Sequence, residues 1–179
     1  HQTLLPKVGA RTFIRARCNG HYRTLSFFAI PISAEDVSYL SLVPGQDSCQ
    51  QLVESMCILI ALRIWVHIWA KQRCTLQADL DNMTSIAMLA NTKASTQSLR
   101  NIARDMGMLF ADVAHEPRIV RRVPGVMHVV PDKLSRKFED ASWRVPAALV
   151  DSGAVEVHPP TRDSAWWTTS DVPSPPPSH

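Results

Sequence analysis

Residues Cys74 to Leu80 alternate apolar positions (Cys74, Leu76, Ala78, Leu80) with polar ones (Thr75, Gln77, Asp79). That period of two predicts a strand, whose successive side chains point to opposite faces. Further along, Leu99, Ile102, Met106, Leu109 and Val113 recur at steps of three or four. This spacing predicts an amphipathic helix from about Thr96 to Ala114, stopped by Glu116-Pro117. Between these patterns and the N-terminus, Asp47 or Ser48 can cap a helix that runs to Trp65 and is apolar nearly all round. A helix of that kind belongs at the centre of a core.

Weaker signals fill in the remainder. Thr12-Phe13-Ile14 leads through Arg15–Cys18 to Asn19-Gly20, and Tyr22 to Phe28 follows. Asn-Gly suits a two-residue type I′ turn, where both positions need positive φ, so residues 10–29 predict a β-hairpin. Residues 30–48 read as a loop with a short helical turn at Ser33–Tyr39. A helix is expected from Thr84 to Asn91, a strand from Arg118 to Val123, a turn at Pro124-Gly125, and a helix start from Val130 to Phe138. Beyond Ser142 the chain reads as loop. The adjacent Trp166 and Trp167 are expected to dock on the body, and Pro173–Ser178 to form a disordered tail. The division expected is a domain over 1–141, a C-terminal extension over 142–172 and a tail over 173–179.

The order hairpin, helix, strand, helix, helix, strand, helix predicts a mixed sheet in an α/β or α+β domain. At 179 residues, with 45% apolar and 20% charged residues, the chain has room for one domain with a tail and enough apolar surface for a core. The most apolar run, Met56–Trp69, contains Arg63 and His67, which favours a buried helix over a membrane span. The cysteines at 18, 49, 57 and 74 form no CxxC pair and read as reduced thiols of an intracellular protein. The chain starts at His1 and is expected to be a fragment of something longer.

The net charge of +3 is unevenly spread. Residues 1–34 hold five basic side chains and no acid; residues 115–138 hold six (Arg118, Arg121, Arg122, Lys133, Arg136, Lys137) against Glu116 and Asp132. The stretch between them carries more acid than base. Two basic segments around an acidic middle suit a polyanionic partner held near carboxylates, or simply a solvated surface. There is no P-loop, GxGxxG, GxSxG or HExxH, and no His–Cys pair at zinc-ligand spacing. Three acids stand at positions where chemistry could sit: Glu54 within the apolar helix, Asp81 at the end of a strand, and Asp132 at the start of the last helix. Each also has a structural explanation as an exposed helix residue, a turn residue or a first-turn acid.

Taken together, Asp81-Asn82-Met83-Thr84-Ser85-Ile86-Ala87-Met88-Leu89 and the segment Arg118–Phe138 resemble the ribonuclease H domain that follows reverse transcriptase in retroelement polyproteins. That family carries Asp-Asn at the end of its fourth strand and a PG-x-x-N-x-x-AD-x-LSR segment. Here the segment reads Pro124-Gly125-Val126-Met127-His128-Val129-Val130-Pro131-Asp132-Lys133-Leu134-Ser135-Arg136. The helix Gln51–Trp65 resembles the family's first helix, with Glu54 in the place of its Glu. The resemblance covers about residues 3–138. It implies a five-stranded mixed sheet flanked by helices and hydrolysis of the RNA strand of RNA–DNA hybrids. It also implies Glu54, Asp81 and Asp132 as ligands of two Mg²⁺ (or Mn²⁺) ions, which bind hard carboxylate oxygens. Arg118, Arg121, Arg122, Lys133 and Arg136 would hold phosphates, and a polymerase domain would lie upstream.

The chain departs from the family at four points. Leu4 occupies the place of the first-strand Asp, and no acid occurs before Glu35. Arg122 stands where relatives have His, His128 replaces Asn, and Pro131 replaces Ala. A missing bridging carboxylate fits three readings: a degenerate, catalytically impaired copy; a true first strand lying before His1; or a likeness of fold alone. The alternative function is a non-catalytic nucleic-acid-binding module.

Overall fold

The computed structural model describes residues 9–18, 21–43, 46–72, 76–78, 96–114, 119–121, 133–134, 136–138 and 140–168. Strands β1 (Gly9–Cys18) and β2 (His21–Pro31) pair antiparallel along their whole length. The register shifts by one residue between Ile14 and Arg15, where Leu25 is passed over, and such a bulge bends a ribbon. These strands flank residues 19–20, the site of the expected turn, which lies outside the described residues.

β2 leads into α1 (Ala34–Leu40). Ser33 Oγ accepts from the Asp36 N–H at 3.1 Å, and the Asp36 carboxylate accepts from the Ser33 N–H at 2.9 Å. This reciprocal box satisfies two of the donors that a helix start leaves unpaired. The helix closes at Ser41, which adopts φ 50°. Next come α2 (Asp47–Ile64) and α3 (Val66–Gln72), separated by a break at Trp65. The sequence pattern placed the helix end at Trp65; in the structure the chain bends there and continues helical. Two indoles hold the bend, Trp65 Nε1 donating to Ser26 Oγ at 2.9 Å and Trp69 Nε1 to the Leu62 carbonyl at 2.8 Å.

β3 (Leu76–Ala78), α4 (Gln97–Asp112) and β4 (Ile119–Arg121) follow, and β3 pairs with β4 in parallel, Ala78 opposite Arg121. Thr96 caps α4, its hydroxyl accepting from the Leu99 N–H at 3.3 Å. A single 3₁₀ turn spans Arg136–Phe138. The region after Ser142, expected to be loop, instead forms α5 (Ala147–Asp151), β5 (Val155–Glu156) and α6 (Ser164–Thr168). Elements of five, two and five residues are too short to show a period, and tertiary contacts hold them in place.

The fold is thus mixed helix and strand. The described strands form a three-stranded sheet in the order β1-β2-β5 and the separate parallel pair β3-β4. β2 is covered on both faces. Phe28 and Ile30 join the main core with Leu52, Met56, Leu59 and Ile60 of α2 and Leu99, Ile102 and Met106 of α4, whereas Phe27 packs with Leu134 and Leu149 in a second cluster. Burial on both sides is why Phe27-Phe28-Ala29-Ile30 is a continuous apolar run rather than an alternating one. Among the described residues no helix is long and apolar enough to cross a membrane.

Candidate functional site

Glu54 lies two turns into α2, between the buried Val53 and Ser55, and is itself half-buried. Its Oε1 accepts from Gln50 Nε2 one turn earlier at 3.1 Å. α2 packs on β1 and on α4, so Glu54 sits on the element that joins the hairpin to the rest of the core. Asp81 and Asp132 lie outside the described residues, as do Arg118, Arg122 and Leu4. Arg121 closes β4 and Arg136 opens the 3₁₀ turn. Lys133 is exposed, and its carbonyl accepts from Trp143 Nε1 at 2.6 Å. Among the described residues no three His, Cys, Asp or Glu side chains gather where a metal ion could sit.

Two of the remaining candidates follow the parallel strands in the sequence. Ala78 and Arg121 are paired, so β3 and β4 end together and leave the sheet in the same direction. Asp81 comes three residues after β3, and Arg122 directly after β4. In parallel sheets, loops leaving the carboxyl ends of the strands are where ligands are usually held.

The described charges concentrate elsewhere, at the junction of α1, α2, α4 and α6. Asp36 has no exposed surface and Arg162 is 7% exposed. Arg162 Nε donates to both carboxylate oxygens of Asp36, at 2.9 and 3.0 Å, and Nη2 donates to Oδ2 at 2.6 Å and to the Pro31 carbonyl at 2.8 Å. Trp167 Nε1 adds a third donor group at 3.3 Å, and the Trp167 ring stacks on Tyr39 with centroids 4.3 Å apart. Burying an ion pair is tolerable when its remaining lone pairs and protons are satisfied in this way.

A second cluster adjoins it. Arg63 Nη1 donates to the Trp166 carbonyl at 2.7 Å, and its guanidinium lies over the Trp166 ring, 4.1 Å from the centroid. Arg63 Nη2 is 3.8 Å from the buried Asp105 Oδ2, while Arg104 donates to Asp105 Oδ1 and to the Tyr39 hydroxyl. Burial pulls the Arg63 pKa down, against the attraction of Asp105; hydrogen bonding to Asp105 pushes that of Arg104 up. Burial also raises the pKa of the Tyr39 hydroxyl, with the Asp105 charge adding to it, and that of the Cys49 thiol. None of Asp36, Asp105, Arg104 or Arg162 stands out in the sequence as a site candidate. For Asp36 the signal is present as Ser33-x-x-Asp36, a capping-box spelling; for the others nothing local marks them. This arrangement positions the C-terminal segment and offers no open nucleophile or metal ligand.

A scan against protein-family models finds no matching family, and searches of curated proteins and of solved structures find no match.

Proposed function

We propose that the chain is a ribonuclease H-like module of a reverse transcriptase polyprotein, working inside the cell on RNA–DNA hybrids. The observation that supports this best is the parallel pair. β3 and β4 end in register, so Asp81 and Arg122 follow from neighbouring strand ends. The hairpin and α2, with Glu54 on it, precede that pair in the order the resemblance requires. In the proposed fold, a strand between β1 and the β3–β4 pair would unite β2, β1, β3 and β4 with it as the five strands of the family sheet, with the two-residue β5 as an addition at the β2 edge.

In this reading Glu54, Asp81 and Asp132 supply hard oxygens for Mg²⁺ or Mn²⁺, which would activate the attacking water and stabilise the leaving oxygen. Arg118, Arg121, Arg122, Lys133 and Arg136 hold backbone phosphates, and contacts to 2′-hydroxyls select the RNA strand. With Leu4 in the first-strand position, one carboxylate is replaced by apolar bulk, and cleavage is weak. That same residue favours the second reading, a non-catalytic module that binds hybrid or duplex through its basic segments.

The test is incubation with a labelled RNA–DNA hybrid and Mg²⁺. Cleavage abolished by Asp81→Asn supports the nuclease. Binding without cleavage that weakens steeply with salt supports the second reading. Cleavage unaffected by Asp81→Asn, or neither cleavage nor binding, rules the respective proposals out.

A further inference from the structure

Every arginine of β1 falls on one face of the hairpin. The strand reads Gly9-Ala10-Arg11-Thr12-Phe13-Ile14-Arg15-Ala16-Arg17-Cys18, and successive residues of a strand belong to opposite faces. Ala10, Thr12, Ile14 and Ala16 share the face that meets α2, since Ala10 pairs with Ile30 and Thr12 with Phe28, both in the main core. Arg11, Phe13, Arg15 and Arg17 share the other face, since Phe13 pairs with Phe27 of the second cluster. The β2 residues opposite the three arginines are Ala29, Thr24 and Tyr22, none of them an acid.

The second basic segment of the chain comes to that same face. Leu134 and Leu149 pack on Phe27 with Trp143 against them, and the 3₁₀ turn Arg136–Phe138 lies beside β1. The bond from Trp143 Nε1 to the Lys133 carbonyl brings Arg144 close to Lys133, and both of these cations are exposed. The described acids of this region are engaged: Glu156 pairs with Lys137, and Asp140 Oδ1 accepts from the N–H and the hydroxyl of Ser142. Arg11 to Arg17 covers about 20 Å at about 3.4 Å per residue. A line of one sign that long suits an extended polyanion such as a duplex, with its closely spaced phosphates, better than a small anion.

We infer that this face of the hairpin is a duplex-binding surface, on which Arg11, Arg15, Arg17 and Arg144 hold phosphates beside Lys133 and Arg136. The inference rests on the nucleic-acid reading above and extends it to four arginines that the resemblance leaves unassigned.

The test is fluorescence anisotropy of a labelled RNA–DNA hybrid titrated with the full chain at several salt concentrations, without Mg²⁺ so that no strand is cut. Each phosphate contact contributes about −0.9 to the slope of log K against log salt. The triple variant Arg11→Gln, Arg15→Gln, Arg17→Gln should bind more weakly, with a slope shallower by about 2.7. Arg144→Gln, at an exposed position, should make it shallower by about 0.9 and serves as the second test. Urea unfolding checks that each variant is folded. An unchanged slope in the folded triple variant, or in Arg144→Gln where the triple variant does not fold, overturns the inference. If Arg121→Gln with Arg122→Gln then still weakens binding, the nucleic-acid reading stands without this surface. A wild type that binds no hybrid at all takes that reading down together with the inference.

Discussion

Arg162 and Asp36 stand 126 positions apart in the chain and form its most deeply buried described ion pair. Asp36 serves three partners at once, completing the cap of α1 through Ser33 and receiving the Arg162 guanidinium and the Trp167 indole N–H from the C-terminal segment. The last described helix is thereby tied to the first.

Removing one partner of such a pair leaves a buried charge uncompensated, which costs about 3–5 kcal/mol. Arg162→Ala and Asp36→Ala should each lower stability by that order in urea unfolding. The double replacement Asp36→Leu with Arg162→Met should recover only part of the loss, because it removes the uncompensated charge but leaves the Ser33 N–H, Trp167 Nε1 and the Pro31 carbonyl without these partners.

The two adjacent tryptophans should differ. Trp167 is 1% exposed within the main core, so Trp167→Ala leaves a cavity and should cost about 3–5 kcal/mol. Trp166 is half-buried under Arg63, and Trp166→Ala should cost about 1–2 kcal/mol, mostly the lost cation–π contact. Chemical denaturation of the two variants side by side checks the ranking.

Tyr39 should titrate above its ordinary value of 10.0, because burial and then the Asp105 charge disfavour the phenolate. The folded-state pKa is raised, so the stabilisation is fully present below pH 10 and is lost as pH rises through the folded value. In a Tyr22→Phe background, which leaves Tyr39 as the remaining tyrosine, ultraviolet titration should give a midpoint above 10. Unfolding free energy should fall with pH over the same range.

If Glu54 contributes to a cation site, Mg²⁺ should raise the melting temperature of the wild type. A hundredfold excess over Kd is worth about 2.7 kcal/mol. Glu54→Gln, which can still bond to Gln50, should lose that shift while melting close to wild type without Mg²⁺. An equal shift in both proteins removes Glu54 from the proposed ligand set.

The periodic elements were legible from local pattern. Leu99, Ile102, Met106 and Leu109 form the buried face of α4, and the stretch expected to be helical from Asp47 or Ser48 to Trp65 forms the central helix Asp47–Ile64, because burial of one face or nearly all faces leaves its mark in the residues themselves. Spacing alone also put the start of the amphipathic helix at Thr96, which caps α4, whereas the cap expected at Asp47 or Ser48 is not formed: α2 begins after Gln46, with no side-chain cap bond, because Asp47 is already its first helical residue. The bend at Trp65 did not, since it depends on an indole finding Ser26 39 positions earlier. Nor did β5, whose two residues carry no period and exist only against β2. Of the candidate site, Glu54 on α2 and the strand preceding Asp81 follow from pattern, and Asp81 and Asp132 lie outside the described residues.

The sequence alone determined the paired strands of the hairpin, the central helix and the amphipathic helix, because each answers to spacing within a dozen or so residues. Only the tertiary structure decided that Arg162 meets Asp36, that Arg63 meets Trp166 and Asp105, and that β5 pairs with β2. Those contacts join segments up to 131 positions apart, and their stability comes from desolvated pairing after the chain has folded, which leaves no periodic trace along it.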